Sequence, residues 1–221
     1  MMKLAEYRRT ASRLADYLPW VALVGEGVVL NKDGSFQRTA KFRGPDLDSA
    51  VAAELVAVAG RLNNAFRRLG SGWAIFVEAQ RSEAATYPAS IFPDAASALV
   101  DAERKADFEE EGSHFVSGYF LTLLWLPPAE NAARSESWLY EGHETSGVNP
   151  WEQVRGFIDR TDRVLALLDG FMPDCHWLDD AATLTYLHST ISTNRHSVRV
   201  PEVPVYLDAL LPDQPLAGGL E

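Results

Sequence analysis

Two hydrophobic periods alternate along the chain, one near 3.6 residues and one of 2. Residues 3–18 gather Leu4, Tyr7, Ala11, Leu14 and Leu18 into an arc of about 100° at helical pitch, and Pro19 stops that helix just before Trp20. Val28-Val29-Leu30, the segment Asn31-Lys32-Asp33-Gly34, and the alternation of Phe36, Arg38, Ala40 and Phe42 predict a β-hairpin within 21–43. Its Asp-Gly pair supplies the left-handed conformation a short turn needs. Leu47, Val51, Leu55, Val58, Leu62, Phe66 and Leu69 recur at three and four, predicting a long helix opened by Pro45-Asp46 and closed by Gly70-Ser71-Gly72. Trp73–Ala79 then alternates as a strand, with Trp73, Ile75 and Val77 on one side. Pro93-Asp94 starts a weakly patterned helix that ends in the charge run Asp101–Glu111.

The most apolar run, Tyr119–Pro128, reads as a strand buried on both faces and as the centre of the sheet. Residues 127–149 hold no period and mark a hinge or an excursion, although Trp138-Leu139-Tyr140 within them suggests packing. Asn149-Pro150 opens another helix through Trp151, Val154, Phe157, Val164 and Leu168 to Gly170. After a strand or loop, Asp179 caps a further helix bearing Leu184, Leu187 and Ile191, and a proline-rich tail, extended or loop-like, follows. Strands and helices in this order predict an α/β chain of the α+β kind: a mixed sheet covered by helices, compatible with a ferredoxin-like arrangement. An N-terminal helix and a helical C-terminal part are additions to it. Residues 1–221 form one domain in this reading, with 129–149 the place where it would subdivide.

Composition narrows the classes. The 221 residues are long enough to bury a real core. A net charge of −11 opposes direct binding to nucleic acid, which depends on neutralising phosphates. The lone cysteine, Cys175, excludes an internal disulfide and a thiolate zinc site and suits a reducing compartment. No window approaches the roughly 20 apolar residues of a membrane span, and Met1–Tyr7 lacks the features of a signal peptide, so a cytoplasmic chain that meets a membrane through partners is expected. Against this acidic background the first helix is cationic, with Arg9 and Arg13 opposite its apolar arc. It is either an ordinary solvated face or a docking face for an acidic partner or lipid headgroups. Under the second reading Arg9, Arg13, Tyr17 and Trp20 are the docking residues.

Few spacings in the chain match a catalytic, phosphate-binding or metal-binding motif. No Gly-Lys pair occurs, Gly70-Ser71-Gly72 follows a helix, and Gly25-Glu26-Gly27 lacks a third glycine, so no phosphate cradle is expected. Cys175, His176, Asp179, Asp180, His188 and His196 fall within 22 residues, but a thiolate beside imidazole without a third soft ligand makes a poor zinc site. No metal is expected. Thr185, Ser189, Thr190, Ser192 and Thr193 lie near His188 and His196 without a Gly-x-Ser-x-Gly elbow, and hydroxyls so placed usually satisfy local backbone. A stand-alone α/β enzyme built on Cys175–His196 remains the alternative reading, and no catalytic residue is assigned.

Longer strings carry more information. Ala15-Asp16-Tyr17-Leu18-Pro19-Trp20, Gly27 to Thr39, and Phe42-Arg43-Gly44-Pro45-Asp46-Leu47 resemble the start of the TrbE-type conjugal transfer ATPases. So do Thr122 to Pro128, Trp177-Leu178-Asp179-Asp180, and Thr183 to Thr190. The resemblance covers the whole chain and is to the CagE/TrbE/VirB group, the large ATPases of type IV secretion and conjugation. It implies an N-terminal α/β domain that docks on the inner-membrane complex and a C-terminal RecA-like motor that binds ATP and Mg. The family's Walker motifs and catalytic residues would lie beyond Glu221, so none maps onto a position here. The implied role is a non-catalytic docking and regulatory domain, as an excised fragment or a truncated gene product. It would link the motor to inner-membrane subunits for DNA and protein transfer and pilus assembly. The implied partners are those subunits and other copies of the ATPase, at the periphery of the bacterial inner membrane.

Overall fold

The computed structural model describes residues 13–84, 86–110, 114–128, 150–194 and 196–212. Most of the predicted first helix and the whole of 129–149 therefore lie outside the described residues.

A three-stranded antiparallel meander opens the sheet: β1 (Trp20–Gly25), β2 (Val28–Asn31) and β3 (Phe36–Arg43). The turn between β2 and β3 forms where Asp33-Gly34 predicts it, with Gly34 at φ 79 and the Asp33 carboxylate accepting from the Ser35 N–H at 2.9 Å. The hairpin between β1 and β2 turns at Glu26-Gly27, so Gly25-Glu26-Gly27 makes a tight turn. The chain continues through α2 (Ala52–Phe66), β4 (Trp73–Glu83), α3 (Ala95–Glu110), β5 (Phe115–Trp125), α4 (Pro150–Asp169) and β6 (Asp174–Trp177). It closes with α5 (Asp180–Ile191) and a one-turn α6 (Leu207–Leu210), while a one-turn α1 (Leu14–Tyr17) precedes β1.

The class is α+β. All five strand pairings among the described residues are antiparallel, so the sheet they form is not mixed as expected from the sequence. The reason lies in the crossovers. Helix α2 carries the chain from β3 to β4, leaving room for β5 between them, and α4 carries it from β5 to β6 on the far side of β3. Like-directed strands are thereby kept one strand apart. The order β6-β3-β5-β4 with helices α2 and α4 is the ferredoxin-like βαββαβ arrangement, with α3 inserted between β4 and β5 and the β1–β2 hairpin added beside β3.

Alternation along the strands feeds two layers. On one face Val28, Leu30 and Phe36 meet Val154 and Phe157 of α4, and farther along Leu121, Leu123 and Cys175 meet Ala65, Val164 and Leu168. On the other face Trp20 and Val29 meet Leu184 and Leu187 of α5 and Leu207 and Leu211 around α6. Each fully buried Leu or Phe contributes on the order of 1.5–3 kcal/mol through burial. Phe157 is entirely buried, and its ring lies 5.6–6.5 Å from those of Trp73, Phe36 and Trp125.

The strand covered on both faces is β2, continued by the first part of β3, and β5 is not the centre. Only Leu121, Thr122 and Leu123 of β5 are buried, and its first half is largely open. Strand β3, bonded to β2 and β6 on one edge and to β5 on the other, is central. The stripe on α2 is likewise half used. Leu62, Phe66 and Leu69 pack on the core, whereas Val51 and Leu55 are exposed. Helix α3 buries none of its side chains. The described part of the proline-rich tail is loop-like through residue 206 and then makes the four-residue α6, which closes one core cluster.

Candidate functional site

Helix α1 is fastened to the body from below. Leu14 packs on the cluster around α5 and α6, and the Lys32 ammonium donates to the Ala15 carbonyl at 2.8 Å while pairing with Asp208 at 2.9 Å. The backbone N–H of Arg13 donates to the Asp16 carboxylate at 3.0 Å, so one helical turn is held by its own side chain. Arg13 is exposed and Tyr17 is 70% exposed, so the structure brings these two to one surface within a single turn. Trp20 does not join them. It is the first residue of β1, is 8% exposed, and spends its ring on the core with Leu187 and Leu207. Arg9 lies outside the described residues.

The Cys175–His196 segment is dispersed by the fold. Cys175 points into the core under α4, and burial, with the Asp169 and Asp174 charges, pushes its thiol up to about 11. At neutral pH it is a protonated thiol without nucleophilic character. His176 points elsewhere and meets Asp174 at 2.9 Å. Asp179 caps α5 by accepting from the Ala182 N–H at 2.7 Å, as its position predicts. Asp180 accepts from the Gly27 N–H at 2.8 Å and so secures the β1–β2 turn. His188 is buried and contacts His196, with ring centroids 4.3 Å apart. Among the described residues no group of three or more His, Cys, Asp or Glu is placed to hold a metal ion.

Beside α5 lies an open cleft of about 640 Å³, walled by Lys41, Phe120, Tyr186, His188, Ser189 and His196. Its polar groups are largely engaged with one another. The Tyr186 hydroxyl donates to Glu78 at 2.8 Å, and burial together with that bond pushes the phenol up to about 12. Ser189 accepts from the Gln80 amide at 3.0 Å and donates to the Tyr186 carbonyl at 2.6 Å. The Thr185 hydroxyl donates to the Ala181 carbonyl and accepts from the Val198 N–H. Such a wall fastens α5 to β4 and to the tail.

Sequence reasoning passed over Arg38. It sits in β3 with its side chain 9% exposed, donates to Asp162 of α4 at 2.6 Å, and lies 4.4 Å from the centre of the Trp177 ring. Its position in the alternation of Phe36, Ala40 and Phe42 on one strand face signalled burial, but nothing local signalled a partner 124 residues away.

This ferredoxin-like domain with an added hairpin and an exposed N-terminal turn is similar in sequence to the N-terminal domains of type IV secretion ATPases. The family described as "Type IV secretion system ATPase VirB4/TrbE, N-terminal domain" matches residues 27–133. A conjugal transfer protein TrbE from Rhizobium radiobacter is 32% identical over 228 residues, covering 96% of this chain and 28% of that protein. The first part of a probable conjugal transfer protein TrbE from Sinorhizobium fredii is 42% identical over 130 residues, covering 58% of this chain and 87% of that protein. The chain belongs to the VirB4/TrbE family of type IV secretion ATPases and corresponds to its N-terminal region. It spans little more than a quarter of the length of the first relative and most of the second.

Proposed function

We propose that this chain is a non-catalytic docking and regulatory domain of a conjugal transfer ATPase. In this reading it couples an ATP- and Mg-dependent motor, carried by the full-length proteins, to inner-membrane subunits of the secretion machine. It would work at the membrane periphery through those partners and other copies of the ATPase, without contacting nucleic acid directly. Among the described residues no helix is long and apolar enough to cross a membrane. The observation that carries the reading is the joint exposure of Arg13 and Tyr17 on a turn pinned by Lys32 and Asp208, in a chain whose net charge is −11. A cation held on a braced turn is presented at low entropic cost to an acidic partner.

Charge reversal of Arg9 and Arg13 tests it. Substitution at an exposed position such as Arg13 changes stability by roughly 0.5 kcal/mol or less, so the melting curve should stay in place. Co-purification with inner-membrane subunits and conjugation frequency should both fall. Normal capture and transfer, in cells that make the reversed protein at normal levels, would return the helix to an ordinary solvated face.

A further inference from the structure

At the opposite side of the fold, where α2 packs on α4, a cleft of about 270 Å³ collects positive charge. Arg68 reaches it from just beyond the end of α2, and Arg160 and Arg163 reach it from α4, three residues apart and so on one helix face. Its remaining wall is apolar, formed by Leu69, Trp73 and Leu167 among others. The Arg160 guanidinium lies 5.2 Å from the centre of the Trp125 ring. That contact occupies a face of the guanidinium and leaves its in-plane N–H donors for other partners. Among the described residues none of the three arginines has a carboxylate within ion-pairing distance. All three arginines are exposed, so their charges stand open to an incoming anion beside an apolar floor.

We infer that this cleft binds an acidic peptide segment, its carboxylates on Arg68, Arg160 and Arg163 and one large aliphatic or aromatic side chain on the Leu69–Trp73–Leu167 floor. Guanidinium pairs with carboxylate through two parallel hydrogen bonds, which gives both charge and orientation. The apolar floor favours a peptide over a nucleic-acid backbone, which would offer the cleft phosphates and sugars. The inference draws its context from the docking role proposed above, but it concerns a different surface. Its test uses no inner-membrane subunit, so failure of one does not entail failure of the other.

The experiment uses the full 221-residue chain and a fluorescein-labelled peptide with three glutamates on either side of Leu-Phe-Leu, followed by fluorescence anisotropy. Three control probes accompany it: the same peptide with lysines for glutamates, one with Ser-Gly-Ser at the centre, and a labelled oligothymidylate. Saturable binding of the acidic peptide should weaken as salt is raised. It should fall by about tenfold or more in the Arg160→Gln/Arg163→Gln double variant and in Arg68→Gln, as expected when charge-assisted contacts are removed. Arg104→Gln on α3 should leave it unchanged, and the control probes should bind more weakly. Circular dichroism melts confirm that each variant is folded, which the exposure of all three arginines leads us to expect. Absence of saturable binding, equal binding by the double variant, or tighter binding of the oligothymidylate would overturn the inference. So would self-association in sedimentation that the double variant abolishes, because the cleft would then belong to a second copy of the chain.

Discussion

Replacing Asp162 by alanine strands a buried charge. The Arg38 side chain is 9% exposed, whereas Asp162 is 51% exposed, so the two ends of their 2.6 Å ion pair sit in very different surroundings. Arginine cannot shed its proton to escape burial. Without Asp162, its guanidinium keeps only the Thr161 hydroxyl at 3.4 Å and the face of Trp177. Breaking a fully buried pair from one side costs about 3–5 kcal/mol. Here half of the pair is already hydrated, which reduces the expected loss for Asp162→Ala to about 2 kcal/mol. The reverse change, Arg38→Met, leaves Asp162 half in water, restores apolar volume over Trp177, and should cost about 1 kcal/mol or less. For a domain of this size these figures correspond to a fall in Tm of about 4–8 °C for Asp162→Ala and about half that for Arg38→Met. Thermal and urea unfolding followed by far-ultraviolet circular dichroism reads both. If Arg38→Met destabilises as much as Asp162→Ala, the asymmetry argued from exposure is wrong.

Two further outcomes follow from the same geometry. Gly27 adopts φ 64, and a Cβ there would run into the Leu178 carbonyl oxygen, so Gly27→Ala should destabilise by about 1–3 kcal/mol, read as a lowered urea midpoint with an unchanged slope. Burial raises the Cys175 thiol to about 11 and, with the Glu78 bond, the Tyr186 phenol to about 12, so the folded state holds protons that the unfolded chain gives up earlier. Their contribution is complete below pH 9.0 and is lost from there to about 11 for Cys175, and from 10.0 to about 12 for Tyr186. Stability should fall over that alkaline window, and less steeply in Cys175→Ala and Tyr186→Phe. A flat profile in the parent protein would contradict the burial of both groups.

The amino-acid pattern by itself determined the existence and kind of most elements, because period, caps and turn chemistry act over a few residues. Asp33-Gly34 placed one hairpin, Asp179 placed the start of α5, and the stripe ending in Leu62, Phe66 and Leu69 placed α2. Period also showed which residues share a face. It could not show whether anything covers that face. Val51 and Leu55 therefore look like Leu62 in the sequence but face solvent, and the most apolar strand, β5, is less covered than β2. Four-residue β6 carries too few alternations to be distinguished from a loop, and pairing with β3 alone makes it a strand. The docking residues divide on the same ground: Tyr17 and Trp20 are three apart around a proline, and only the packing of α6 and α5 against β1 sends Trp20 inward while Tyr17 stays out. Helical pitch puts Arg160 and Arg163 on one face of α4. Bringing Arg68 beside them required the α2–α4 contact that the ferredoxin-like crossovers create, since charge convergence over such a sequence distance is set by topology and leaves no trace in any single stretch of chain.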